Sequence, residues 1–307
     1  MIKIATLVGC AIGDALGNPF EMKPASSPMF ETWAGDFIEG GTFWWGQPGQ
    51  YTDDTLMSLA LSASLLEKNG YDPEDAAKKY LAWMESGNTR GIGGTTATAL
   101  HRVKNGVVWT ESGLTHNPDG TPTGGNGTAM RASPIGIFYR HDLTKLLEVA
   151  MTDASITHNS LEPKMGSIAV ALGTALLANR THDPETVLDE VTSVLSDSYV
   201  KARLQLAQHH MLEGTDPKVA LVEIGTEGYV PATVGAAFYC LARTYDFRGA
   251  VEMAVRAGGD TDTTAAIVGA LAGSFYGLES IPEEFRYRVE NYDLLRALDE
   301  ELVSAGE

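Results

Sequence analysis

Apolar positions recur every three to four residues along segment after segment of this chain, and alternating apolar–polar runs are scarce. That periodicity predicts helices nearly throughout. The expected helices span 2–16, 54–68, 72–85, 93–104, 127–140, 142–157, 162–179, 183–196, 200–212, 216–225, 230–244, 247–257, 261–277, 282–289 and 292–303. Their punctuation is physical. Asn69-Gly70 and Asn105-Gly106 supply residues that tolerate a left-handed helix end. Asp72-Pro73-Glu74, Asp183-Pro184-Glu185, Asp216-Pro217-Lys218 and Ile281-Pro282-Glu283 place proline in a first turn, where its missing N–H costs nothing. Residues 37–45 hold at most a short extended piece. Residues 107–126, rich in Gly, Pro, Asn and Thr, read as a long loop of the functional or disordered kind. With no linker and no fixed repeat, the expected fold is a single all-α domain over residues 1–307, built of antiparallel and crossing helices.

Two of these helices carry a long uncharged run after their first acids. Residues 55–66 and 263–278 are uncharged, and each run follows a short acidic cluster: Thr52-Asp53-Asp54-Thr55 and Asp260-Thr261-Asp262-Thr263. Helix capping explains one Asp per helix start, since such a carboxylate accepts free N–H groups and complements the helix dipole. Two Asp plus flanking threonines exceed that need. At a first turn, both carboxylates can point past the helix end. Two such ends meeting would gather four carboxylates and two hydroxyls. Buried carboxylates repel one another and cost several kcal/mol each without a compensating cation. An all-oxygen donor set suits hard cations such as Mg2+ or Mn2+.

Composition narrows the partners. The chain has 307 residues, 44% hydrophobic and 20% charged, enough for a large core. A net charge of -18 disfavours long nucleic acid and anionic membrane surfaces, which need basic patches. Cys10 and Cys240 form no CxxC pair, so neither zinc nor a disulfide framework is expected. Leu7-Val8-Gly9-Cys10 resembles a lipoprotein cleavage box, but the apolar segment before it is short for an export signal. No uninterrupted apolar run reaches the roughly 18 residues of a membrane span. The expected location is the cytoplasm, and the expected oligomeric state is a monomer.

Two further segments carry candidate chemistry. Gly13-Asp14-Ala15-Leu16-Gly17-Asn18-Pro19-Phe20-Glu21 combines small residues, which allow close helix approach, with two acids. Asp14, alone in an uncharged stretch, fits a buried hydrogen-bonded role; Glu21 reads either as a surface charge or as a cleft residue. Gly124-Gly125-Asn126-Gly127-Thr128-Ala129-Met130-Arg131 reads either as a tight turn or as backbone N–H groups able to bind phosphate at a helix start.

Taken in order, Gly13-Asp14-Ala15-Leu16-Gly17, Tyr51-Thr52-Asp53-Asp54-Thr55, Gly125-Asn126-Gly127 with Met130-Arg131, Thr157-His158-Asn159, and Gly258-Gly259-Asp260-Thr261-Asp262-Thr263 resemble the ADP-ribosylglycohydrolase family, including the dinitrogenase-reductase-activating glycohydrolases. The resemblance covers nearly the whole chain. It implies a compact orthogonal helical bundle and a hydrolase releasing ADP-ribose from an acceptor, first of all protein ADP-ribosylarginine. It implies two Mg2+ or Mn2+ ions held by Thr52, Asp53, Asp54, Asp260, Asp262 and Thr263. It gives Glu21 an acid/base role and places Asp53 and Asp262 in the catalytic centre. It assigns Gly125, Asn126, Gly127, Met130, Arg131 and His158 to the ligand, with His158 also able simply to cap or pack. Partners would be ADP-ribose, an ADP-ribosylated protein or an ADP-ribosylated small molecule. Three other readings remain open: a non-catalytic ADP-ribose binder, a dinuclear phosphoesterase acting on nucleotides, and a plain structural helical protein. One departure bears on the acceptor: Gly91 stands where the arginine-specific branch often carries an acid. The aromatic stretch Phe30, Trp33, Phe37, Phe43, Trp44 and Trp45 reads either as a wall or lid of the site, or as packing of a long loop.

Overall fold

The structure is a computed structural model and describes residues 3–307; Ile2, where the first expected helix begins, lies outside them. Among the described residues the chain forms α1 (Thr6–Gly17), α2 (Met29–Thr32), α3 (Asp53–Lys68), α4 (Pro73–Glu85), α5 (Gly94–Lys104), α6 (Trp109–Ser112), α7 (Ser133–Phe138), α8 (Leu143–Thr157) and α9 (Leu161–Ala178). It continues through α10 (Thr186–Val194), α11 (Tyr199–Glu213), α12 (Pro217–Ile224), α13 (Val230–Ala242), α14 (Phe247–Arg256), α15 (Thr261–Tyr276), α16 (Glu283–Arg286) and α17 (Tyr292–Ala305). The architecture is all-α, as the periodicity predicts.

The centre of the molecule is the pair α1 and α15. Gly9, Gly13 and Gly17 repeat every four residues and so share one face of α1. That face meets Gly269, Ala265 and Thr261 in reverse order, so the two helices run antiparallel. A Cβ on Gly13 would overlap the carbonyl of Ala265, and one on Gly9 the carbonyl of Gly269. The contact is therefore closer than any side chain permits. Both ends are tied. Thr6 Oγ1 and Ser274 Oγ share a hydrogen bond of 2.7 Å at one end, and Thr261 Oγ1 donates to the Gly17 carbonyl at 2.8 Å at the other. This pairing delivers the end of α1, with Glu21 just beyond it, to the acidic start of α15.

Around this pair, α3, α7, α9, α13, α14 and α17 complete the core. The α9 helix, at 18 residues and mean hydropathy 1.2, is apolar and long enough to cross a membrane by composition, but 78% of it is buried against neighbouring helices. It interrupts its apolar run with Glu162 and Lys164, as a core helix with a solvated first turn would.

The expected boundaries hold to within a few residues, with informative exceptions. No helix starts at Gly127. Residues 127–131 form consecutive turns, and α7 begins only at Ser133. The Asn126 carbonyl accepts from the amides of Ala129 and Met130, which keeps the chain folded back at this point. The stretch 107–126 is not structureless: it contains α6 and a hairpin-like bridge between His116 and Pro122. The extended piece at 37–45 is only an isolated bridge between Gly40 and Gly46. Periodicity also missed a two-residue pairing, Lys23–Pro24 with Gly258–Gly259, too short to produce any alternation.

Candidate metal centre and ligand cleft

The start of α3 shows why its carboxylates are free. Thr52 is its N-cap residue but makes no side-chain capping bond. Asp14, reaching across from α1, takes that role instead. Its carboxylate accepts from the Thr52 amide at 2.9 and 3.0 Å, the Thr55 amide at 3.1 Å, and the hydroxyls of Thr52 and Thr55 at 2.9 and 2.7 Å. Charge-assisted bonds of this kind each contribute roughly 1.5–3 kcal/mol. Burial still outweighs them and pushes the Asp14 carboxyl up to about 6. With the helix end satisfied by another helix, Asp53 and Asp54 have no capping work.

The start of α15 repeats the pattern. Asp260 is its N-cap residue without a capping bond from its side chain. Its Oδ2 instead accepts from Asn126 Nδ2 at 2.8 Å, and the same amide group donates to Thr233 Oγ1 at 3.0 Å. The short strand pair places Glu21 here: the Met22 amide donates to the Gly259 carbonyl at 2.7 Å. Carboxylate oxygens of Glu21, Asp260 and Asp262 consequently lie within 4.8 Å of one another.

These groups line one cavity of about 340 Å3. Its walls include Glu21, Asp53, Asp54, Asp260, Asp262 and Thr263 on one side, and Gly125, Asn126, Gly127, Met130 and His158 on the other. Among the described residues, no Lys or Arg lines it. Burial, then the neighbouring Asp14, pushes the carboxyls of Asp53 and Asp54 well above the ordinary range. Asp262 is raised by burial and by Asp260 and Glu21. Glu21 is pushed up to about 8, by burial first and Asp260 second. Asp54 Oδ1 is buried with no hydrogen-bond partner. An orphaned carboxylate oxygen among mutually repelling acids is the signature of a site that fits a cation. The donors are all oxygen, which selects a hard divalent ion.

The sequence-derived site residues sort into four groups, of which Arg131 alone is the last. Glu21, Asp53, Asp54, Asp260, Asp262 and Thr263 converge as expected. Thr52 stands behind them, off the cavity wall, donating its hydroxyl to Asp14 and lying 3.1 Å from Asp54 Oδ2. Gly125, Asn126, Gly127, Met130 and His158 form the opposite wall. His158 is buried, with Nδ1 2.9 Å from Thr157 Oγ1, and its ring packs beneath the Gly125–Gly127 turn. Burial, helped by nearby Arg131, lowers its imidazole to about 3, so it is neutral.

Arg131 corrects the expectation of a ligand contact. It is fully buried and does not reach the cavity. Its Nε pairs with Asp153 Oδ2 at 2.9 Å, its Nη1 donates to the Gly127 carbonyl and Thr157 Oγ1 at 2.8 Å each, and its guanidinium lies 4.6 Å from the centre of the Tyr80 ring. Arg131 is the strut behind the turn. An arginine in a glycine-rich segment looks like an anion ligand in sequence because its partner Asp153 lies in a different helix. The turn also lacks a following helix start, so its ligand-binding power rests on the turn's own amides.

Gly228, Ile92, Thr95 and Thr96 also line the cavity; none was an expected site residue, although Ile92, Thr95 and Thr96 lie in the segment whose Gly91 bears on the acceptor. Only the glycine-rich character of 91–94 could have signalled a backbone-lined wall there. The aromatic stretch divides in two. Phe30, Trp33 and Phe37 are buried, with Phe20 stacked on Phe30 at 4.9 Å, so they are loop packing. Phe43 lines the cavity mouth.

A helical bundle with converging aspartate pairs at its centre defines a class, and comparison with known proteins agrees. The ADP-ribosylglycohydrolase family model matches residues 4–307. The chain belongs to the ADP-ribosylglycohydrolase family and is an ADP-ribosyl glycohydrolase, an enzyme that hydrolyses ADP-ribose glycosidic bonds. It is 28% identical to the ADP-ribosylarginine hydrolase Tri1 of Pseudomonas putida, over 96% of this chain and 76% of that protein. It is 26% identical to the ADP-ribosyl-[dinitrogen reductase] glycohydrolase of Rhodospirillum rubrum, over 99% of this chain and 96% of that one. Among solved structures it is similar to an ADP-ribosylglycohydrolase-related protein complex, with TM-score 0.78, 28% identity, and 99% and 97% of the two chains covered.

Proposed function

We propose that this enzyme cleaves the N-glycosidic bond of ADP-ribosylarginine, and that it does so with two bound Mg2+ or Mn2+ ions. The observation that carries the metal reading is the cavity itself: Asp53, Asp54, Asp260 and Asp262 crowd one wall without a cationic side chain, and Asp54 Oδ1 has no partner. With Thr263, and with the Thr52 oxygen beside Asp54, these residues would hold the ions. When bound, such ions supply charge stabilisation, a grip on ribose hydroxyls and an oriented water.

The chain's own groups account for the remaining work. Hydrolysis breaks the bond between the anomeric carbon and the acceptor nitrogen, joins water oxygen to that carbon, and returns a proton to the nitrogen. Glu21 is half-buried and stands among the carboxylates that mark the reacting centre, and in the metal-free protein burial and Asp260 push its carboxyl up to about 8. It is suited to donate that proton. Asn126 bridges Asp260 and Thr233, which fixes the turn relative to the start of α15. The turn's amides and the neutral His158 face the same cavity and can bind the diphosphate without adding a fixed positive charge. The choice of arginine follows the name of the Pseudomonas putida relative.

The test is release of free ADP-ribose from ADP-ribosylarginine with Mg2+ or Mn2+, then with EDTA, beside Asp260→Ala. Metal-dependent release that the variant loses is the expected outcome. AMP or phosphate as product would instead indicate a phosphoesterase, and metal-dependent ADP-ribose binding without turnover a binder.

A further inference from the structure

Beside the carboxylate cavity lies a second cleft of about 450 Å3, walled by Phe43, Trp44, Gln50, Asn88, Arg90 and Gly91. Phe43 and Gly91 line both spaces, so the two adjoin. On the other side, Gly125 and Gly228 join the same cavity to a third space of about 640 Å3. A glycosidic bond held at the carboxylates is therefore flanked by two spaces. On the functional reading above, the Gly125–Gly127 turn claims the nucleotide for the third space. The leaving group is left with the cleft at Phe43.

We propose that this cleft is the acceptor subsite, and that Phe43 stacks on the planar guanidinium of the arginine leaving group. Phe43 is 68% exposed, although Phe30, Trp33 and Phe37 of the same stretch are buried. An aromatic ring left in solvent at a cavity mouth is available for a flat, cationic partner. Its position is fixed from below. Thr42 Oγ1, one residue before Phe43, donates to the Glu21 carbonyl, and Glu21 and Phe43 line the same cavity. The ring thus stands next to the group that would protonate the leaving nitrogen.

The rest of the wall is stiff and its charge is balanced. Arg90 lies 4.9 Å from the centre of the Trp44 ring and 5.5 Å from that of Tyr51. Its Nη1 and Nη2 bind the Glu290 carboxylate at 2.7 and 3.2 Å. The pair leaves no net positive charge to repel a second guanidinium. Gly91 keeps the passage open. Its φ of +77° suits glycine, and a Cβ there would stand 2.6 Å from Asp53 Oδ1.

Because the inference rests on the proposed reaction, its experiment separates the two. Wild type, Phe43→Ala and Phe43→Trp are assayed with Mg2+ on ADP-ribosylarginine, with free ADP-ribose as competitive inhibitor. The inhibitor lacks the acceptor and so reports only the nucleotide side. Phe43→Ala should raise KM about ten-fold, the scale of a lost cation–π contact. Its ADP-ribose inhibition constant should stay within about two-fold of wild type. Phe43→Trp should restore KM. A rise in KM matched by the inhibition constant would put Phe43 on the nucleotide side and overturn the proposal. An unchanged KM would overturn it as well. A wild-type enzyme that neither releases ADP-ribose nor binds it would sink the underlying functional reading instead.

Discussion

Asp at a helix start has two fates in this molecule. Asp72 accepts from the amides of Glu74 and Asp75 at 3.0 and 3.1 Å, Asp142 from Lys145 at 3.0 Å, Asp216 from Lys218 at 2.9 Å, and Asp246 from Gly249 at 2.7 Å. Each caps its own helix at the surface. At the starts of α3 and α15, Asp53, Asp54 and Asp260 cap nothing. They sit inside, and for α3 the capping has passed to Asp14 on α1. The difference is one of neighbours, because the same side chain either works locally or is released by a second helix. A released, buried carboxylate has a reason to exist only if something charged binds it.

The sharpest way to break this contrast is to remove one acid of each kind. Asp262→Asn should abolish ADP-ribose release and eliminate the Mg2+-induced rise in Tm, because a ligand that binds only the folded state stabilises it by mass action. In EDTA the same variant should melt at or above the wild-type temperature, since one repelling buried charge has gone. A variant that keeps Mg2+-dependent activity would defeat the metal assignment. Glu21→Gln should leave Mg2+ stabilisation in place and lower kcat by roughly 10²–10⁴-fold, the usual contribution of proton transfer. Loss of Mg2+ binding in that variant would move Glu21 from proton donor to ligand.

Next in size is the support under the site. Gly13→Ala forces a methyl group against the Ala265 carbonyl. Overpacking of that kind costs about 1–3 kcal/mol, and it separates Glu21, just beyond the end of α1, from the start of α15. Both the melting temperature and Mg2+ affinity should fall. An unperturbed Mg2+ affinity would show that the α1–α15 spacing does not set the site.

Much of this was legible in the sequence, for identifiable reasons. The long uncharged runs after Thr55 and Thr263 could only be buried helices, and paired acids at their starts had to meet a compensating charge. The ordered motifs gave the family. What stayed hidden depends on contacts between segments distant in the chain. Arg131 reads as a ligand until Asp153 and Tyr80 are seen around it. The pairing of Lys23–Pro24 with Gly258–Gly259 is too short to leave a pattern, although it brings Glu21 to Asp260. The division of the aromatic stretch into buried Phe30, Trp33 and Phe37 and exposed Phe43 and Trp45 follows from which rings meet Phe20 and Phe285, and composition does not encode that.

The pH dependence of stability sharpens the same comparison. In metal-free protein, Glu21 is raised from 4.5 to about 8 and Asp14 from 3.8 to about 6, with Asp53, Asp54 and Asp262 shifted in the same direction. A raised carboxyl holds its proton in the folded state at a pH where the unfolded chain has released it. Folding then binds protons, and stability falls as pH rises. The window runs from about pH 4, below which both states are protonated, to about pH 8, where the folded Glu21 ionises. Tm in EDTA should therefore decline across that range, and saturating Mg2+ should flatten the decline by compensating the carboxylates.

The smallest effect belongs to the ordinary caps. Asp72→Ala should cost about 1 kcal/mol, the usual loss for one N-cap, and leave kcat and Mg2+ affinity unchanged. Its effect should also be insensitive to EDTA, because Asp72 lies on the surface start of α4, outside the walls of the carboxylate cavity. Thermal melts of Asp72→Ala and Asp262→Asn, each with Mg2+ and with EDTA, form a four-way comparison. The cap should shift both melts equally, and the site residue should change their difference. If Asp72→Ala instead altered the Mg2+ response, α4 would be coupled to the metal centre, and the division between capping and released carboxylates would not hold.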